Sequence, residues 1–313
     1  MKNKSIKVAT LKLLPTAPFR LDLTTWALRR RPTNAVDQWD GEHYTRLLVV
    51  DGQPVKIILK QRGTDRIPEL SIILKSGKEL TVGTIGKIRM LLEKMLGLKA
   101  DLKPFYKLAK INNVLKPLAK SFIGVKPPRF PTLFEALINS IACQQVTLTL
   151  GIMLLNRLAA TFGTKFVDGD KLIYAFPSPE DLAAAPLEDI KKLGFSRQKV
   201  KAIKELSNSI INKGVPLLEE LEEMTSKQTV EHLLKIHGIG RWSAEYVLLR
   251  GLGRIDIFPG DDVGAQKNLM LLMGLKKLPN YDEVKKITAG WQPYCGLVYF
   301  HLLLDKLQKK NII

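Results

Sequence analysis

The sequence predicts an α+β protein, an N-terminal antiparallel α+β domain over residues 1–115 followed by an all-α domain over residues 116–313. Three observations predict it. In RLLVVDGQPVKIILK two β-branched runs flank Asp51-Gly52, a dipeptide that favours a tight hairpin. From about residue 84 apolar residues recur at spacings of three and four, the period of a helix. Between these regimes and the rest lies a basic, proline-marked connection, KPLAKSFIGVKPPRFP (116–131), after which the pattern is almost entirely helical.

Taken in order, residues 17–76 read as strands, the last of them LSIILKSG from Leu70, closed by Ser76-Gly77. IGKIRMLLEKMLGL is then the first helix. Thr132 and Glu135 in PTLFEALINS carry the spacing of a capping box. Ser178 before Pro179 marks a further start, and Ser196 caps the basic helix within KKLGFSRQKVKAIKELSNSI. Ser226 is expected to cap the helix that runs into a glycine turn, His237-Gly-Ile-Gly240. No period of 20–50 residues repeats, which excludes a solenoid or propeller.

The 313 residues are 45% hydrophobic, so a folded core is expected. The net charge of +19 is concentrated early: residues 1–120 hold 24 basic against 10 acidic side chains, residues 121–313 hold 25 against 20. Such a surface suits nucleic acid; lysine used for solubility or heat tolerance is the plainer explanation. Two cysteines, Cys143 and Cys295, are too few for an iron–sulfur cluster or a four-thiolate zinc. His43, His232, His237 and His301 show no helical pairing, so no catalytic metal or other cofactor is implied. Lys7 and Lys12 interrupt any signal-peptide core, and no apolar run reaches 18 residues. The expectation is a soluble, cytoplasmic protein, nucleoid-associated in a prokaryote, without a membrane partner.

HGIGRWSAEYVLLRGLGRIDIFPGDD (237–262) concentrates the chemistry. Gly238 and Gly240 permit a tight turn, and without side chains there the backbone N–H groups can approach phosphate. Ile239 between them anchors the turn in the core, leaving Arg241 to open the next helix. An ordinary helix–helix turn would use the same glycines. The adjacent carboxylates Asp261 and Asp262 repel phosphate, so they need a separate reason, and either could cap the helix VGAQKNLMLLMG. Trp242 and Tyr246, four residues apart, share a helix face.

LLKIHGIGRWSAEYVLLRGLGRIDIFPGDDVGAQ resembles the helix-hairpin-helix, Gly/Pro-rich loop and aspartate signature of the DNA glycosylase superfamily, and is most similar to 3-methyladenine DNA glycosylase II. FEALINSIACQQVTLTLGIMLLNRLAATFG (134–163) and LGFSRQKVKAIKEL (193–206) agree. RRRPTNAVDQWDGEHYTRLL resembles the family's N-terminal domain more weakly. The resemblance implies that residues 116–313 form a helix-hairpin-helix glycosylase domain acting, as a monomer, on damaged double-stranded DNA. It implies Asp262 as the catalytic carboxylate, which leaves Asp261 as the expected cap of the next helix, and Trp242, Tyr246 and Trp291 as aromatics that receive an electron-poor alkylated purine. Gln144 and Gln145 match the loop that fills the gap left by a flipped nucleotide, with Gln145 the wedge. Gly238, Ile239, Gly240 and Arg241 would contact the DNA backbone. The carbonyls of Leu234, Ile236 and Ile239 would hold a structural monovalent cation.

Glycosylases that also nick DNA place a lysine where this chain has Trp242, which implies a monofunctional enzyme. Relatives often carry arginine where Cys295 stands, a departure that bears on the pocket floor. The basic set Lys191, Lys192, Arg197, Lys199, Lys201 and Lys204 offers phosphate contacts or a solvated helix face. Other readings are the same scaffold with 8-oxoguanine or hypoxanthine as the lesion, or a helix-hairpin-helix protein that binds DNA without chemistry. A non-DNA enzyme on a helical scaffold would leave the basic surface without a purpose.

Overall fold

The computed structural model describes residues 6–313. It begins with β1 (Lys7–Leu13) and α1 (Leu21–Arg29), then β2 (Gln38–Trp39), β3 (His43–Val50), β4 (Gln53–Gly63) and β5 (Pro68–Ser76). These strands form one antiparallel sheet in the order β1-β5-β4-β3-β2. The β3–β4 connection is the predicted one: Val50 pairs with Gln53, and Asp51 and Gly52 take φ of 52° and 70°, the two positive angles of a tight hairpin turn. Buried and partly exposed residues alternate along β5, which puts Leu70, Ile72 and Leu74 on the core face.

Helices follow: α2 (Val82–Met95), α3 (Lys103–Ile111), α4 (Leu115–Ser121), α5 (Leu133–Cys143) and α6 (Leu148–Phe162). A short hairpin, β6 (Lys165–Asp168) and β7 (Lys171–Tyr174), interrupts them. Then come α7 (Pro179–Ala184), α8 (Leu187–Lys192), α9 (Arg197–Ile211), α10 (Leu218–Glu223), α11 (Ser226–Leu233), α12 (Arg241–Arg250), α13 (Val263–Met273), α14 (Tyr281–Ala289) and α15 (Cys295–Gln308). The passage read as a connection (116–131) opens in α4, and two further elements depart from the sequence reading. Residues 21–29 are helical within the region read as strands, and β6–β7 breaks the region read as helical. Both are short, and short apolar runs do not declare their period. Among the described residues no helix is long and apolar enough to cross a membrane.

Two apolar cores organise these elements. The first joins the inner face of the sheet to α2, α5, α6, α9 and most of α12. The second gathers α1, α3, α4 and α15 with parts of α13 and α14. α12 lies where they meet: Val247 and Leu248 belong to the first and Leu249 to the second. Eight of its residues, Ser243–Arg250, are buried.

Polar groups tie the sheet to the helices. Buried Arg46 on β3 binds Asp37 and, on α5, Glu135, each at 2.5 Å, while the Tyr44 hydroxyl donates to Asp37 at 2.7 Å. This corrects the expected capping box. The Thr132 hydroxyl does accept the Glu135 N–H (3.1 Å), but the Glu135 side chain turns away to Arg46. A buried guanidinium is the stronger partner for a buried carboxylate. Ser178 and Ser196 cap α7 and α9 as expected.

His301 on α15 is fully buried, with Nδ1 2.9 Å from the Leu297 carbonyl and no partner for Nε2. Burial disfavours the imidazolium and pushes its pKa down to about 4. Below about pH 6.5 the unfolded chain takes up a proton that the folded one refuses, so this residue's contribution falls as pH drops and levels off below about 4. Urea unfolding of the native protein and of His301→Leu is expected to show the native losing about 2 kcal/mol more than the variant between pH 7 and pH 5.

Candidate active site

Local sequence fixes the turn between α11 and α12. α11 is capped by Thr225, one residue before the expected Ser226: the Thr225 hydroxyl accepts the Gln228 N–H (3.3 Å), and the Gln228 side chain accepts the Thr225 N–H (2.9 Å). Gln228 completes the reciprocal pair only from Thr225, and the Ser226 hydroxyl is left to accept from Arg254 (3.0 Å). Gly238 has φ of 82°, and a Cβ there would lie 2.7 Å from the Ala202 Cβ on α9. Gly240 is different: it is the extended N-cap of α12, nothing stands within 4 Å of a would-be Cβ, and no side chain caps the helix. The first N–H groups of α12 therefore remain available to a ligand. Ile239 is buried beneath them.

The loop after α5 braces this turn. Gln144 Nε2 donates to the Gly238 carbonyl (2.7 Å) and to the Ser243 hydroxyl (2.9 Å). Lys199 donates to the carbonyls of Ala142 and Gln144 at 2.9 and 2.8 Å. Gln145, next to them, is exposed and has φ of 52°, an uncommon angle outside glycine. The two glutamines thus separate: Gln144 holds the hairpin and Gln145 projects beside the cavity. The basic set separates too. Lys204 binds the Ala183 and Ala185 carbonyls, while Lys191, Lys192 and Lys201 pair with Glu188, Asp189 and Glu205; Arg197 is exposed.

After α12 the chain returns through a Gly/Pro-rich loop held by Glu245, whose carboxylate accepts from the Gly260 N–H (3.0 Å) and the Tyr281 hydroxyl (2.6 Å). The loop delivers Asp262. Its Oδ1 accepts the Ala265 N–H (2.8 Å), and its Oδ2 accepts from Tyr299 (3.0 Å) and from Trp242 Nε1 (3.3 Å). Asp262, not Asp261, is therefore the cap of α13. Only Asp262 immediately precedes the helix with the extended backbone that capping needs; Asp261 pairs with Arg241 at 2.7 Å. The Arg241 guanidinium also lies 3.7 Å over the Tyr281 ring. One carboxylate thus caps a helix and still presents an oxygen among aromatic donors.

Asp262 opens on a cleft of about 1130 Å³ that Trp242, Tyr246, Tyr299, Arg30, Gln144, Gln145 and Gly240 also line. The Trp242 and Tyr246 rings are 5.3 Å apart and inclined by 33°, as the i, i+4 spacing predicts. The Tyr246 hydroxyl accepts from Arg30 (2.6 Å), whose other terminal nitrogen donates to Asn139 (2.6 Å). Burial raises the pKa of both Tyr246 and Tyr299, and Asp262 adds to the rise at each, so both hydroxyls keep their protons, that of Tyr299 donated to Asp262. Among the described residues no three His, Cys, Asp or Glu side chains gather as a metal site.

Trp291 does not line the cleft. It is buried in the second core just after α14, because the turn into α15 directs it inward. Cys295 is buried there as well, donating to the Asp256 carbonyl (2.9 Å), with its thiol pushed up to about 11 by burial. Sequence reasoning missed Arg30, Asn139 and Tyr299. The RRR run at 29–31 was visible, but nothing local ties Arg30 to a tyrosine 216 positions later.

Residues 138–293 match the model of the HhH-GPD superfamily base excision DNA repair proteins. The chain is 32% identical over 202 residues to the DNA-3-methyladenine glycosylase of Bacillus subtilis, an alignment covering 64% of the chain and 66% of that protein. It is 30% identical over 161 residues to DNA-3-methyladenine glycosylase 1 of Schizosaccharomyces pombe, covering 51% of the chain and 67% of that protein. The fold is that of the 3-methyladenine DNA glycosylase of Archaeoglobus fulgidus, with a TM-score of 0.82 at 22% identity over 97% of this chain and 100% of that one. The chain belongs to the HhH-GPD superfamily of base excision DNA repair proteins.

The two glycines are expected to behave differently. Gly238→Ala, strained in φ and crowded by Ala202, should cost on the order of 2 kcal/mol in urea unfolding. Gly240→Ser supplies a good N-cap in open space and should stay within about 0.5 kcal/mol of native.

Proposed function

We propose that the protein is a monofunctional DNA glycosylase of base excision repair that takes alkylated purines of the 3-methyladenine class from double-stranded DNA and leaves an abasic site. The observation that carries this reading is Asp262, held by three donors at the edge of a cleft walled by Trp242 and Tyr246. An alkylated purine is electron-poor, so the two ring faces attract it by stacking and cation–π contact. As the N-glycosidic bond breaks, its electron pair passes to the base, which leaves neutral, and positive charge develops on the deoxyribose. Asp262 stabilises that charge. Water then bonds to C1′ and gives up a proton, completing hydrolysis. Trp242 cannot form the Schiff base of a strand-nicking enzyme. Arg241 and the open N–H groups at Gly240 grip the backbone, with Ile239 as their anchor and Gln145 filling the gap in the stack.

The hairpin carbonyls fit a monovalent cation. Among the described residues those of Leu234 and Ile239 accept no protein hydrogen bond, and that of Ile236 accepts only the Ile239 N–H (3.1 Å). Uncharged oxygens of this kind suit a hard cation. Once bound, it would add positive potential where the DNA backbone approaches. The protein is proposed to act as a monomer.

Methylated duplex DNA incubated with native protein is expected to release 3-methyladenine, identified by chromatography, and to leave strands that break only on later alkali or heat. Asp262→Asn should reduce release by at least about a hundredfold. No release of any methylated base, or equal release by the variant, would contradict the assignment.

A further inference from the structure

Three basic side chains on the cleft wall take no part in the chemistry above. Arg31 follows α1, Lys267 lies on α13 and Lys306 on α15, and all three line the cleft that holds Asp262. None lies within 4.0 Å of a carboxylate oxygen among the described residues. Lys306 is half-buried, and the charges facing it are Arg31, Lys310, Asp262 and Lys267, three cations against one carboxylate. That carboxylate is already engaged by three donors. The supports are rigid. Arg31 is steered by Nε to the Thr149 hydroxyl (3.3 Å) and by Nη1 to the Arg30 carbonyl (2.9 Å), which leaves Nη2 free to donate. Asn268 on α13 donates to the Leu302 carbonyl on α15 (3.3 Å), fixing the two helices that carry the lysines.

Like charges drawn together without a counter-charge repel one another unless an anion joins them. We propose that Arg31, Lys267 and Lys306 form a second phosphate clamp, separate from the hairpin, which binds a phosphodiester beside the nucleotide taken into the cleft. This rests on the reading of the protein as an enzyme of double-stranded DNA. A base stacked against the Trp242–Tyr246 wall sets its sugar at Asp262 and so brings its own phosphates to the cleft mouth. There Asp262 repels them, and the three cations offset that repulsion. The hairpin holds the duplex; the clamp holds the flipped nucleotide.

The test is equilibrium binding between about 50 and 300 mM KCl of two duplexes, one with a central tetrahydrofuran abasic analogue and one undamaged. Lys267→Gln, Lys306→Gln and Arg31→Gln are each expected to weaken binding of the analogue duplex several-fold at low salt. Each should flatten the slope of log K against log salt by about 0.9. Lys306→Arg should restore both, and the undamaged duplex, with nothing in the cleft, should be bound as by native protein. Lys267 is exposed, so its variant keeps the test free of folding defects. Unchanged slopes on the analogue duplex, or equal losses on both duplexes, would overturn the clamp while leaving the DNA reading intact. Failure of native protein to bind either duplex would overturn both.

Discussion

The site depends on the burial of one helix. α12 runs between the two apolar cores, and burial on nearly every side fixes its rotation and its position along its axis. Its N-terminus carries the hairpin glycine, and its side chains hold everything that follows. Trp242 reaches Asp262, Tyr246 reaches Arg30, and Glu245 fixes the loop that delivers Asp262. At its far end buried Arg250 donates to the Ala27 and Leu28 carbonyls of α1 at 2.9 Å, among the rings of Phe130, Tyr246 and Phe300. A shift of α12 would displace the hairpin N–H groups, the aromatic wall and the carboxylate together.

This arrangement reconciles two features that conflict in the sequence. A glycine turn that welcomes phosphate and a carboxylate that repels it are close along the chain, yet under the proposed function they serve different parts of one nucleic acid. The N–H groups at Gly240 face outward, with nothing where a side chain would stand. Asp262 stands at the edge of the cleft, where its helix cap and aromatic donors hold it for the proposed contact with the sugar. Capping and chemistry are therefore not rival roles for Asp262. The helix cap fixes one oxygen, and the other meets Trp242 and Tyr299.

What the sequence revealed was local. The Asp51-Gly52 turn, the caps at Ser178 and Ser196, the glycine hairpin and the Trp242–Tyr246 pair each depend on residues a few positions apart, and periodicity and turn chemistry report such relations directly. Misreadings arose where two neighbours compete for one role, as Asp261 and Asp262 do, or Thr225 and Ser226. For Asp261 the deciding partner, Arg241, lies twenty positions away, whereas Thr225 was decided locally by Gln228, three residues on, where a capping box places it. Trp291 shows the same limit, since nothing adjacent says whether a ring faces a cleft or a core. Arg30 and Tyr299 were out of reach because their partners are set by tertiary packing.

Under the proposed function, backbone grip and bond cleavage are separate tasks of one scaffold. Single-turnover excision from a duplex with one defined alkylated purine, followed over a range of protein concentrations, separates them. Asp262→Asn is expected to lower the maximal rate while half-saturation stays at the native concentration. Gly240→Val, which fills the open face of the hairpin, should raise the half-saturating concentration and preserve the maximal rate. If both variants lower the maximal rate alone, or both shift half-saturation alone, the hairpin and the aspartate do not divide the work in this way.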